Sequence, residues 1–118
     1  MFRVMLAGKI HRATVTETHL DYEGSLTVDA DLLEAAGMVA YEQIQVYNVS
    51  TGDRFETYLI EGPRHSGAIA LNGAAARRGQ PGDTLIIATY HLLPEEQVPP
   101  HRPRVVFVDE KNARLSSA

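Results

Sequence analysis

Short β-branched and apolar runs, broken repeatedly by Gly, Pro and Asn/Asp turn residues, dominate this chain and restrict it to a strand-rich fold. Phe2–Leu6 and Ile10–Glu17 read as strands separated by Gly8, and Ser25–Asp29 (SLTVD) as a third. DADLLEAAG follows as a short helix. Asp29 or Asp31 caps it, Leu32, Leu33 and Ala36 form its apolar side, Gly37 stops it, and Asp31 with Glu34 has capping-box spacing. Gln43–Val49 and Arg54–Glu61 alternate across the turn Ser50-Thr51-Gly52-Asp53, so they predict a hairpin. Period two puts Arg54, Tyr58 and Ile60 on one face of its second strand, and Phe55, Thr57 and Leu59 on the other. Ala68–Leu71 is short and apolar, Asn72-Gly73 is a turn, and Ala74–Arg78 has room for one helical turn. GQPGD turns the chain into Thr84–His91, which is apolar enough to be a buried strand. Four of the six prolines fall between 94 and 103 and predict an extended connector. Arg104–Val108 reads as the last strand, and residues 109–118 as a fraying tail. So many short strands with stub helices point to a small closed or nearly closed β-barrel, because closure removes exposed edges.

At 118 residues the chain makes one domain, 1–118. It contains no cysteine, which excludes disulfides, thiolate nucleophiles and Cys-ligated zinc, and fits a reducing cytoplasm. A net charge of −4 argues against general nucleic-acid binding. No run of about 18 apolar residues offers a membrane span, and MFRVMLAGKIHR lacks a signal-peptide h-region. His11, His19, His65, His91 and His101 show no metal-ligand spacing, so no metal is expected. Lys9 and Lys111 are the only lysines through which pyridoxal phosphate could be held. Encoded nucleophiles and electrophiles are therefore few.

Four segments can carry chemistry. Tyr22-Glu23-Gly24-Ser25 is an ordinary turn by composition. It is also a candidate self-cleavage site: the Ser25 hydroxyl can attack the Gly24 carbonyl to give an ester, and glycine hinders that attack least. β-Elimination then leaves dehydroalanine, and hydrolysis of that leaves a pyruvoyl ketone at a new N-terminus. Lys9 with His11 and Arg12 is either a solvated basic strand end or a carboxylate-binding ammonium. Arg54-Phe55-Glu56-Thr57-Tyr58 is an amphipathic strand whose Arg54 offers a planar fork for a carboxylate and whose Tyr58 offers a proton. Thr57 points the other way, so Thr57 and Tyr58 serve one mechanism only at a subunit interface, a local twist or in separate steps. Asn72-Gly73-Ala74-Ala75 is a turn into a stub helix, with an accessible backbone for an anion and an amide able to polarise a carbonyl.

Together, MLAGKIHRATVT, DYEGS, YNVSTGDRFETY, NGAAARRGQPGD and LIIATY closely resemble the bacterial pyruvoyl-dependent aspartate 1-decarboxylases and cover most of residues 1–91; after about residue 95 only RPRVVFV adds to the match. The resemblance implies an all-β chain with short helices folded as a six-stranded double-psi β-barrel. It also implies a cytoplasmic homotetramer and self-cleavage of a zymogen into fragments 1–24 and 25–118. Ser25 would become the covalently bound pyruvoyl group, which takes the place of pyridoxal phosphate and holds L-aspartate as a Schiff base. The product is β-alanine, for pantothenate and coenzyme A synthesis. By position, Tyr58 matches the proton donor and Thr57 a substrate contact that also assists maturation. Gly73, Ala74 and Ala75 match the substrate-binding backbone, Lys9 and Arg54 the carboxylate-binding pair, and Tyr22, Asn72 and Tyr47 the pocket lining. Which cation holds which carboxylate stays open. A maturation-helper protein is a further candidate partner. Tyr47 stands where some members carry tryptophan, and Leu26 where some carry a smaller residue. Two rivals remain at this level: a non-catalytic barrel that binds a small ligand or protein, and a pyruvoyl decarboxylase for another amino acid.

Overall fold

A computed structural model of the chain describes residues 1–115. It contains β1 (Phe2–Thr14), β2 (Glu17–His19), β3 (Ser25–Asp29), α1 (Ala30–Ala36), β4 (Gln43–Asn48), β5 (Arg54–Gly62), β6 (Ile69–Asn72), β7 (Thr84–Pro94) and β8 (Arg104–Phe107). Short 3-10 helices cover Gly73–Arg78 and Glu95–Gln97. The chain is therefore mostly β with short helices, as its alternation predicts. Among the described residues the strands number eight rather than six, in one sheet of order β2-β6-β3-β5-β4-β7-β1-β8. Among the described residues no ladder joins the end strands β2 and β8.

The ladders are mixed. The hairpin β4·β5 and the pairs β4·β7, β1·β7 and β3·β6 are antiparallel. β3·β5, β2·β6 and β1·β8 are parallel, and each joins segments far apart in the chain. Alternation sends Ile10, Leu26, Val28, Ile44, Val46, Leu59, Leu85 and Ile87 inward, where they are essentially inaccessible. Leu32, Leu33 and Ala36 of α1 join that core.

Several expectations change in detail. Gly8 does not end the first strand; it lies at a register shift within β1. A Cβ there would lie 2.4 Å from the carbonyl oxygen of Ala36, so glycine admits the end of α1 against β1. Beyond Thr14 the chain leaves β1, and Val15 bonds to Asp83 and Thr16 to Ile69. Asp29 caps α1, accepting from the Asp31 amide, and Gly37 closes it. The Asp31/Glu34 capping box does not form, because Asp29 is the N-cap and Asp31 lies inside the helix; the Glu34 carboxylate pairs with Arg64 at 2.7 Å instead. The proline-rich connector is not simply extended: it includes the 3-10 turn at 95–97, tied to the N-terminus by Glu95 N–H to the Met1 carbonyl and by the Arg3–Glu95 pair. Of the segment read as a fraying tail, Asp109 and Asn112 make specific bonds. Buried Asn112 donates to the Thr14 and Gly67 carbonyls and accepts from Thr14 N–H. Residues 116–118 lie outside the described residues.

Candidate active site

Sheet register builds the site. Ser25 opens β3 and pairs with Asn72, the last residue of β6. On the other side Leu26 pairs with Leu59, which sets Ser25 beside Tyr58. Asn72, Ser25 and Tyr58 thus form one cross-strand row on the face opposite Leu26 and Leu59. With Asp21, Tyr22, Glu23, Thr27 and Ile60 they line an open cleft of about 530 Å³.

Ser25 is buried. Its hydroxyl donates to the Glu23 carbonyl at 3.2 Å and accepts from Asn72 Nδ2 at 3.0 Å. The same Nδ2 reaches Thr27 Oγ1 at 2.9 Å. Asn72 Oδ1 is buried and has no hydrogen-bond partner among the described residues. Tyr22 stacks on His19 with ring centroids 4.6 Å apart, which props the wall of the cleft before Ser25.

The two glycines of the site differ. Gly73 has φ +61°, and a Cβ on it would lie 2.5 Å from the Tyr22 carbonyl oxygen and 2.6 Å from Gly24 N. Only glycine lets the 72–75 backbone lie against the 22–25 turn. Gly24 has room: the nearest atom to a Cβ there is Ala74 N, at 3.7 Å. Packing therefore does not explain glycine at 24. Gly24, Gly73 and Ala74 adjoin the cleft, and Ala75 is buried in the core.

The remaining predicted site residues lie elsewhere. Thr57 pairs with buried Ile44 and faces away from Tyr58. Arg54 is on the Tyr58 face but four residues back along β5, about 13 Å away at strand rise. Its guanidinium carbon stands 4.1 Å over the Tyr47 ring, and the Tyr47 and Tyr90 hydroxyls are 2.8 Å apart. That bond, with burial, raises the Tyr90 pKa. Lys9 joins the same outer face through the row Lys9–Ala88–Gln45–Glu56, three strands from Arg54's β5, about 14 Å across the sheet. Burial, then the charges of Lys9 and Arg12, lowers the His11 pKa and favours neutral imidazole. One chain thus holds a Ser25–Tyr58–Asn72 cleft and, apart from it, an outer face with Lys9, Tyr47 and Arg54.

The sequence reading missed Thr27. The signal was present, since Ser25 and Thr27 are two apart on a strand and must share a face.

The aspartate decarboxylase family model matches residues 1–115 of this chain. The chain belongs to the aspartate decarboxylase family. Over 112 residues it is 59% identical to the aspartate 1-decarboxylase of Bordetella pertussis, covering 95% of this chain and 92% of that protein. Identity is 56% to the enzyme of that name from Desulfotalea psychrophila, over 95% and 94% of the two chains. It is 53% to that of a Geobacillus species, over 95% and 88%. The family match spans both the cleft and the outer cationic face.

Proposed function

We propose that this protein decarboxylates L-aspartate to β-alanine and CO₂, a step supplying pantothenate and coenzyme A. It does so after self-cleavage between Gly24 and Ser25 turns Ser25 into a pyruvoyl group. The carrying observation is the Ser25 hydroxyl, buried and held between Asn72 and Glu23 beside a glycine that packing does not demand. Attack of Oγ on the Gly24 carbonyl carbon breaks the peptide C–N bond and forms an ester. Elimination releases the Gly24 carboxylate with fragment 1–24, and hydrolysis of the remaining dehydroalanine releases ammonia. Fragment 25–118 then begins with the ketone. The cleft fits such a group: the Asn72 amide already points an N–H at residue 25 and can polarise an oxygen there. A pyruvoyl group supplies an electron sink for the pair left by the departing carboxylate.

The chain's own residues supply the rest. The Tyr58 phenol, in the same row as residue 25, hands a proton to the substrate α-carbon. Gly73 and Ala74 present backbone to the substrate, with Ala75 supporting them. Tyr22 and Asn72 line the pocket. Arg54 and Lys9 hold carboxylates, with the Arg54 guanidinium placed over the Tyr47 ring and offering a planar fork of N–H donors. Those cations lie too far along the sheet to serve Ser25 of their own chain, which supports a site completed by a second subunit of a homotetramer. Thr57, facing away from Tyr58, contacts substrate and assists maturation only within such an assembly. Parallel β3·β5, β2·β6 and β1·β8 pairs in an otherwise antiparallel sheet support the double-psi barrel reading. A reducing cytoplasm suits the cysteine-free chain. Ser25→Ala tests the proposal: the variant stays a single chain and makes no β-alanine. A Ser25→Ala protein that decarboxylates aspartate would refute it.

A further inference from the structure

Asn72 has two amide N–H donors, and both are used. One goes to Ser25 Oγ at 3.0 Å and the other to Thr27 Oγ1 at 2.9 Å. Its carbonyl oxygen is buried without a partner among the described residues, so its side-chain hydrogen bonds there are the two to these hydroxyls. Thr27 lines the same cleft as Ser25, Tyr58 and Asn72, while its neighbours Leu26 and Val28 face the core.

If Ser25 matures as proposed above, on which this inference rests, its hydroxyl disappears. Thr27 is then the one side-chain hydroxyl among the described residues still bonded to Asn72. We propose that Thr27 is a positioning residue: its hydroxyl keeps the Asn72 amide aimed at residue 25 once the Ser25 hydroxyl has been consumed. Before cleavage Ser25 and Thr27 share the task, so losing Thr27 is tolerated. Afterwards the amide without Thr27 can rotate about its terminal torsion, and one buried N–H loses its acceptor. The consequence is specific: turnover depends on the Thr27 hydroxyl more than maturation does.

The test uses the full chain with Thr27→Val, which keeps the β-branched shape and removes the hydroxyl, and Thr27→Ser, which keeps the hydroxyl and removes the methyl. Cleavage at 24/25 is read by intact mass, and kcat and KM with L-aspartate are measured on the cleaved protein. The Thr27→Val variant is expected to cleave fully, with kcat lowered about tenfold and KM changed less than about twofold. The Thr27→Ser variant is expected within about threefold of wild type. If Thr27→Val prevents folding, Thr27→Ala against Thr27→Ser makes the same comparison. A cleaved, carbonyl-bearing Thr27→Val variant with wild-type kcat overturns this proposal alone, and so does a Thr27→Ser variant as slow as the Thr27→Val variant. A wild-type chain that never cleaves removes the maturation reading and this proposal with it.

Discussion

Substituting alanine at the two glycines of the cleft separates packing from chemistry. At Gly73 the new Cβ would sit 2.5 Å from the Tyr22 carbonyl oxygen, 2.6 Å from Gly24 N and 2.7 Å from Gly24 Cα. All three are backbone atoms, so relief requires moving one segment by more than half an ångström. The left-handed φ of +61° adds about 1–2 kcal/mol for a residue with a Cβ. Overpacking of this kind costs about 1–3 kcal/mol more. A loss of about 3 kcal/mol lowers the melting temperature of a chain this size by on the order of 10 °C. Gly73→Ala should therefore melt about that much lower and cleave slowly, because the 22–25 turn is displaced. Gly24→Ala meets no atom closer than 3.7 Å, so its melting temperature should stay within about 3 °C of wild type. Its cleavage should nonetheless slow by tenfold or more if glycine at 24 serves the attack. Thermal melts at one protein concentration and a time course of cleavage by mass decide both. A Gly73→Ala protein as stable as wild type refutes the close-approach argument, and a Gly24→Ala protein that cleaves at the wild-type rate refutes the chemical reading of that glycine.

Two further perturbations probe the reaction and the scaffold. Tyr58→Phe should still cleave, since the phenol is not bonded to Ser25, yet decarboxylate at least a hundredfold more slowly as a lost general acid; steady-state assay of the cleaved variant checks this, and normal kcat would remove Tyr58 as the proton donor. Burial pushes the Asp29 carboxyl pKa up, but bonds from the Gly67, Asp31 and His65 amides outweigh it and hold the pKa below the usual value. A depressed folded-state pKa contributes stability that is present above the unfolded value, about 3.9, and lost as pH falls through the folded one. Asp29→Asn should thus melt well below wild type at pH 7, with the gap narrowing towards pH 3; a gap unchanged across that range would contradict the assignment.

Local elements were legible because their signals are local. The β4·β5 hairpin follows from alternation around Ser50–Asp53, and buried Asn48 then clasps that turn through Ser50 and Thr51 N–H. Asp29 and Gly37 bound α1 as their residue types suggest. What failed depends on distant partners. Gly8 looked like a strand break because its reason, the Ala36 carbonyl, lies 28 positions downstream. Asp31 and Glu34 looked like a capping box because Asp29 and Asp31 are both able to cap, and the His65 and Gly67 amides that also hold Asp29 lie 36 and 38 positions downstream. The site divides the same way. Alternation put Arg54 and Tyr58 on one face, but only the β3·β5 and β3·β6 registers bring Tyr58 and Asn72 to Ser25. Those ladders join chain segments dozens of residues apart, and no sequence period records their register. The separation of Lys9 and Arg54 from the cleft is also a register result.

The central claim is that this chain makes its own electrophile at Ser25. Intact mass spectrometry of the purified protein, with and without a carbonyl-reactive hydrazine, reads it directly. The account predicts two fragments, 1–24 and 25–118, with the larger one alone gaining the mass of one hydrazone. A single uncut chain that takes up no hydrazine, in a preparation that still converts aspartate to β-alanine, would contradict it.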